Sequence, residues 1–292
     1  MSAQPAARPF EIRRARPEDA EVCGNICYQA FKTINDFHNF PPDLPVPEIG
    51  VQLLSWMFAN PDFYCVVAHS GGKIIGSNCL DERGVIAGVG PITIDPQNQN
   101  NGVGRALMEA VMDRAKERKF VGVRLVQAAF HGRSMSLYTK LGYIIREPLA
   151  VMQGSAQQHQ PSGVTVRPMT ATDIPACNAL CHRVHGHDRA RELQNAVSAG
   201  TAMLAERGGR VVAYTSALAF FGHSVAETNE DMAALIASAE SMGGPGILVP
   251  TRNTELFRWC LENGLRFVEP TTLMTVGLYN EPRGAFLPSI LY

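Results

Sequence analysis

Residues Gly90–Tyr143 read GPITIDPQNQNNGVGRALMEAVMDRAKERKFVGVRLVQAAFHGRSMSLYTKLGY, and the rest of the chain is read outward from this stretch. An apolar strand, Gly90–Ile94, runs into a polar, asparagine-rich loop that ends in Gly102-Val103-Gly104. Apolar residues then recur at helical spacing over Arg105–Lys119. A second strand follows at Val123–Ala129, and after it a short helix ending at Leu141-Gly142. Strand, glycine loop and helix in that order make an anion site. The first N–H groups of a helix have no partner within it, and the helix dipole favours negative charge there. Glycine lets a phosphate approach the backbone where a Cβ would stand in the way.

The kind of phosphate loop follows from what is missing. A nucleoside triphosphate loop needs Gly-Lys-Ser/Thr, and Gly104 is followed by Arg105-Ala106. A dinucleotide fingerprint needs a third glycine, and that position is Leu107. The pattern that fits is Gln99-x-x-Gly102-x-Gly104, which is similar to the Q/R-x-x-G-x-G/A pyrophosphate loop of the GNAT acetyltransferase superfamily. Downstream, Ser134-x-x-Leu137-Tyr138-x-x-Leu141-Gly142-Tyr143 resembles that family's A-x-x-L-Y-x-x-x-G-F segment. Two motifs in the right order and on the right element types carry far more than one short glycine pattern.

The resemblance implies an acyltransferase of mixed α/β fold that takes acetyl from acetyl-CoA and gives it to an amine by direct attack on the thioester. It places the pyrophosphate on main-chain N–H groups of Gln99, Asn100, Asn101, Gly102, Val103, Gly104 and Arg105. It has the pantetheine arm slot between splayed strands, held by the main chain of Ile92, Thr93 and Ile94. Tyr138 stands at the position of the family's general acid, with packing against the donor as its alternative role. Ser134 and His131 would meet the pantetheine end, although the family usually has asparagine where this chain has His131. The base is not fixed. Glu82 is taken as the candidate, with Asp81, His38 and His131 as alternatives. No metal is implied.

The chain has 292 residues, room for two domains of ordinary size. A formal net charge of −1 and the lack of any Lys/Arg run exclude a polyanion-binding surface, so no nucleic acid partner is expected. Met1–Arg14 holds no apolar stretch of signal-peptide length, and no segment is suited to span a bilayer; a cytoplasmic protein, monomer or homodimer, is expected. The seven cysteines fall at no metal-ligand spacing and read as small core residues.

Ahead of the glycine loop, Phe10–Arg13 alternates like a half-buried strand, and Pro17-Glu18-Asp19 opens a helix carrying Cys23, Ile26, Cys27, Ala30, Phe31 and Ile34 on one stripe. Asn35–Pro47 reads as a loop whose Asp36, His38 and Asp43 either meet an acceptor or are simply solvated. A second helix is expected at about Glu48–Ala59, then strands Phe63–Ala68 and Ile74–Leu80 joined by Ser70-Gly71-Gly72.

Gln153–Gly163 reads as a linker, dividing a catalytic unit at 1–152 from a second unit at 164–292. The pattern then begins again. Val164–Pro168 echoes the first strand, and Asp173, Cys177 and Cys181 repeat the spacing of Asp19, Cys23 and Cys27. Two tandem GNAT-like units are therefore expected, the second degenerate. Its helix begins at Glu227-Thr228-Asn229-Glu230-Asp231 with no glycine; Thr228 and Asp231 cap it from within, and its acids repel phosphate. Cys260 stands where Tyr138 would.

Two other functions fit the same residues: a coenzyme A sensor without turnover, and a protein or peptide acetylase. A covered acceptor site favours a small polar molecule as acceptor. The apolar tail within Asn280–Tyr292 is expected to pack on a domain.

Overall fold

The computed structural model describes residues 9–157 and 161–291; Met1–Ala7 and Arg8 of the expected signal-free N-terminus, three residues of the expected linker and Tyr292 lie outside the described residues. The first strand, β1 (Glu11–Arg14), leads through a turn at Pro17–Asp19 into α1 (Ala20–His38), and α2 (Pro47–Ala59) packs on it. The two helices touch backbone to backbone: a Cβ on Gly24 would lie 2.4 Å from Val51 Cα. The first helix is longer than the sequence suggests. It runs through Asn35-Asp36-Phe37-His38 and stops at Asn39, which takes the left-handed conformation that ends helices (φ 58°).

β2 (Phe63–Ser70) and β3 (Lys73–Asp81) form a hairpin turned by Gly71 and Gly72, both at positive φ as a tight hairpin requires. β4 (Ile86–Val89), β5 (Thr93–Ile94), α3 (Val103–Glu117), β6 (Gly122–Ala128), α4 (Gly132–Lys140) and β7 (Ile144–Gln153) follow. The strand expected at Gly90–Ile94 is thus only Thr93–Ile94, separated from β4 by an interruption at Gly90-Pro91.

Beyond residue 160 the same order of elements returns in shorter form. It comprises β8 (Thr165–Pro168), α5 (Ile174–His185), α6 (Ala190–Ser198), β9 (Met203–Arg207), β10 (Arg210–Thr215) and β11 (Ser224–Ala226). Then come α7 (Asn229–Ala237), β12 (Ile247–Pro250), α8 (Thr254–Glu262) and β13 (Arg266–Gly277). A last strand, β14 (Ala285–Leu287), has no counterpart in the first half. The likeness extends to side chains. Arg13 grips Asp19 with two hydrogen bonds of 2.7 and 2.9 Å, and Arg167 grips Asp173 with two of 2.9 and 2.8 Å. Each aspartate also accepts from a backbone N–H three residues before it.

The halves share strands. One nine-stranded mixed sheet runs β1-β2-β3-β4-β6-β13-β7-β12, with β5 on β3. β13 stands between β6 and β7, pairing antiparallel with both: Met274 lies opposite Leu125, and Thr271 opposite Leu149. β7 in turn pairs with β12, Val151 opposite Leu248. Each half therefore lends its last long strand to the other. The cores record the exchange. Met274 of β13 is buried among Leu107, Val111 and Leu125 of the first half, while Ala150 and Met152 of β7 are buried among Met232, Leu235 and Val249 of the second. Fully burying one such side chain contributes about 1.5–3 kcal/mol, so removing either strand costs both cores.

The other five strands form a second sheet, β14-β11-β10-β9-β8. β14 runs antiparallel to β11, Phe286 opposite Val225, and lies next to β12. All seven cysteines are free and buried.

Candidate active site

The site opens where two strands part. β4 runs parallel to β6 at Ile86–Gly122, Ala87–Val123 and Gly88–Arg124, and the pairing ends there. From Gly90 the chain turns to β3 instead. The Gly90 N–H donates to the Cys79 carbonyl (2.9 Å), and Ser77 pairs with Thr93. Leu125–Ala128 of β6 are left without a strand on that side, the splay expected of the segment Pro91–Ile94. A cavity of about 960 Å³ fills the gap and extends beneath α1.

At one end of the cavity α3 begins. Gly102 stands before it in the left-handed conformation (φ 80°) and offers no side-chain cap. Ala106 N–H is the first to reach a carbonyl of this turn, that of Gly102 (3.1 Å), so the N–H groups of Val103, Gly104 and Arg105 precede the helix's own ladder. This is an uncapped helix start with its dipole facing the cavity. Arg133 of α4 braces the loop, donating to Gln99 Oε1 (2.8 Å) and Asn100 Oδ1 (3.4 Å). The corresponding helix of the second half is closed off. Thr228 Oγ1 accepts from Asp231 N–H (3.1 Å), and Arg207 holds the Asp231 carboxylate. Cys260 is buried, and β14 pairs along β11.

Most residues singled out in the sequence line the cavity: Ile92, Thr93, Ile94, Gln99, Asn100, Gly102, Val103, Gly104 and Arg105 on the donor side, and His131, Ser134 and Tyr138 from α4 and its approach. Asn101 does not. Tyr138 is buried, which pushes its phenol pKa up and keeps its proton in place. Burial, and the charge of Arg133, lower the pKa of His131 and hold its ring neutral. Ser134 Oγ donates to Gln127 Oε1 (3.0 Å).

Glu82 is elsewhere. Its carboxylate is held by Arg114 of α3 (2.7 Å), with Arg118 at 3.9 Å, and it does not line the cavity. Asp81 is likewise engaged, by Arg83 at 2.9 and 3.0 Å. Asp36 lies on α1 in an exposed pair with Lys32. His38 and Asp43 do line the cavity, His38 with its ring 5.2 Å from that of Phe130.

Sequence reasoning missed the groups that come from far along the chain. Glu269 and Thr271 of β13 line the cavity, as do Phe220 and Phe221. The tail returns there too. Ile290 N–H donates to the Phe220 carbonyl (2.8 Å), and Ile290 and Leu291 form part of the wall. An acid in the apolar run Phe267–Val276 was the one visible signal.

This arrangement is that of an acyl-coenzyme A-dependent acyltransferase: an amide-lined anion end, a slot between parted strands and a buried phenol. Residues 31–143 match the model of the acetyltransferase (GNAT) family, whose acyl donor is acetyl-CoA. An IAA acetyltransferase from Azospirillum brasilense is 25% identical over 117 residues, 39% of this chain and 76% of that protein. The fold of the whole chain recurs in a putative acetyltransferase from Pyrococcus horikoshii (TM-score 0.71, 18% identity, covering 98% of this chain and 97% of that one). It recurs also in a GCN5-related N-acetyltransferase from Sphaerobacter thermophilus (TM-score 0.60, 15% identity, 94% and 98% covered). Among the described residues no helix is long and apolar enough to cross a membrane, and no group of three His, Cys, Asp or Glu is placed to hold a metal.

Proposed function

We propose that this chain transfers the acetyl group of acetyl-CoA to the amine of a small molecule. The observation that carries the reading is one continuous cavity. It runs from the free N–H groups ahead of α3 past Tyr138 to a chamber walled by the C-terminal tail and by Phe220 and Phe221. A chamber closed on that side suits a small acceptor, whereas a protein segment needs an open groove. About 960 Å³ is at the upper end of small-molecule sites, enough for a donor arm and a compact acceptor together.

The roles follow from position. Val103, Gly104 and Arg105 hold the pyrophosphate by their N–H groups. The main chain of Ile92–Ile94 faces the open side of β6 and lines the slot for the pantetheine arm, with one N–H polarising the thioester carbonyl. Tyr138 gives its proton to the departing sulfur. The first half carries this chemistry, and the second closes the acceptor end.

The test is thiol release from acetyl-CoA, offered with simple amines, aminoglycosides, amino acids and peptides in turn. Release above the hydrolysis background with a small amine supports the reading. Release with peptides alone points to a protein acetylase, and coenzyme A binding with no release under any acceptor points to a sensor.

A further inference from the structure

We propose that Asp43 and Glu269, one from each half of the chain, receive the acceptor's ammonium group and take the proton it must lose, and that the acceptor is a primary amine on an apolar body. This rests on the acetyltransfer reading and names what that cavity selects.

Glu269 is placed by a fault in β13. Residues two apart in a strand share a face, yet Phe267 is 46% exposed and Glu269 only 2%. The pairing of β13 with β7 shifts register between them, and this bulge turns the carboxylate inward, as bulges near active sites do. Thr271, next on the same face, is buried too. Glu269 Oε2 and Thr271 Oγ1 have no hydrogen-bond partner, although both side chains line the cavity. Asp43 approaches from the loop between α1 and α2, close enough to Asn35 and to Glu269 for each to act on its ionisation; its Oδ1 is also unpartnered.

Among the described residues no Arg or Lys forms an ion pair with either acid. His38 and His131 line the same cavity, and Arg105 and Arg133 its donor end. Burial raises the pKa of both acids; Glu269 and Asn35 offset part of that rise for Asp43, whereas Asp43 pushes Glu269 further up, to about 9. The pair therefore holds a proton at neutral pH when the cavity is empty. A buried acid pair with no cation is costly to the fold, and an arriving ammonium supplies the missing charge. The rest of the chamber is apolar and aromatic. Phe130 stacks on Phe40 (4.3 Å between ring centres), and Phe31, Phe220 and Leu291 complete the wall.

The protons balance. As the ammonium enters, the proton shared by the pair leaves to solvent. One ammonium proton then passes to a carboxylate, and the neutral amine attacks the thioester carbon. The N–C bond forms and the C–S bond breaks. Tyr138 protonates the sulfur and recovers a proton from the substituted nitrogen.

The experiment is calorimetry on the protein saturated with coenzyme A, with 2-phenylethylamine and 2-phenylethanol as probes. The amine should bind at least about tenfold tighter than the alcohol, about 1.4 kcal/mol, and should release a proton to buffer near pH 7.5. Glu269→Gln and Asp43→Asn should each abolish most of that preference and leave coenzyme A affinity unchanged. Equal binding of amine and alcohol by the parent, or a preference that survives in Glu269→Gln, overturns the proposal. Should a variant not fold, the parent's amine-to-alcohol ratio and proton release decide. Thiol release is scored separately. Turnover without the amine preference refutes the acid pair alone, whereas the preference without any turnover refutes the acetyltransfer reading and leaves the pair standing.

Discussion

Gly88 lies directly against Leu291: a Cβ on the glycine would stand 1.9 Å from the leucine's carbonyl oxygen. The end of the chain is thus fitted to the strand that opens the donor slot. Ser289 and Phe220 fix it there, each accepting one backbone N–H of the tail at 3.0 and 2.8 Å. Gly88→Ala should expel the tail, with an overpacking cost of about 1–3 kcal/mol. The expected result is a lower melting temperature and a raised KM for the amine. A chain ending at Ser289 should show the raised KM as well. An unchanged KM in both variants would show that the tail does not shape the acceptor chamber.

The helix start at Gly104 has two separable properties. A Cβ there would meet only Ile94 Cδ1 at 3.3 Å and Leu137 Cδ2 at 3.5 Å, both ends of flexible side chains. Gly104→Ala should therefore fold and bind coenzyme A nearly as the parent does. Gly104→Asp adds a negative charge among the N–H groups proposed to receive the pyrophosphate. Its dissociation constant for coenzyme A, measured by calorimetry, should rise by about tenfold or more, at least about 1.4 kcal/mol.

Tyr138→Phe keeps the ring packed and removes the proton. The turnover number should fall by about 10²–10⁴, with coenzyme A affinity within a few-fold of the parent. Because burial raises the phenol's pKa, loss of its proton should not limit the rate anywhere in the neutral range. A variant that turns over like the parent would reduce Tyr138 to packing.

Stability should respond to pH in opposite senses at two places. Burial and the partner acid raise the pKa of Glu269 to about 9 in the folded chain, well above its unfolded value. Its contribution is therefore full below the unfolded pKa and is lost as pH rises toward 9. Glu269→Gln should melt higher than the parent at pH 8 and differ little at pH 4. The Arg167 guanidinium holds the Asp173 carboxyl below its ordinary range. That contribution is present above the unfolded pKa and disappears as pH falls through the depressed one, so Asp173→Asn should lower the melting temperature at pH 7 and matter less in strong acid. Thermal melts across pH check both signs.

The glycine loop, the hairpin at Gly71-Gly72 and the repeated Asp-x-x-x-Cys spacing were legible because each is set by local chemistry: positive φ, helix capping, one turn of helix. The helix through His38 was not, since Asn35 and Asp36 are poor helix formers; its end is held by the Asn39 and Phe40 N–H groups on the Asn35 carbonyl and by the Asn35 side chain's bond to the Pro41 carbonyl (2.9 Å). Glu82 looked available because its partner, Arg114, is remote in sequence and becomes a neighbour only when α3 packs on the sheet. Glu269 was hidden for a deeper reason. Periodicity tells which face of a strand is buried, but not which strand lies beside it, and β13 lies in the sheet of the other half.

That placement also bears on how the protein is made. A ribosome delivers β6 and β7 long before β13, yet β13 belongs between them. Until it arrives, the nascent first half has two exposed strand borders and an incomplete interior, a sticky condition that invites chaperones or pairing with another chain. Synthesis must reach β13 before either half can close, so a stop codon just ahead of β13 should be as damaging as one between β7 and β8.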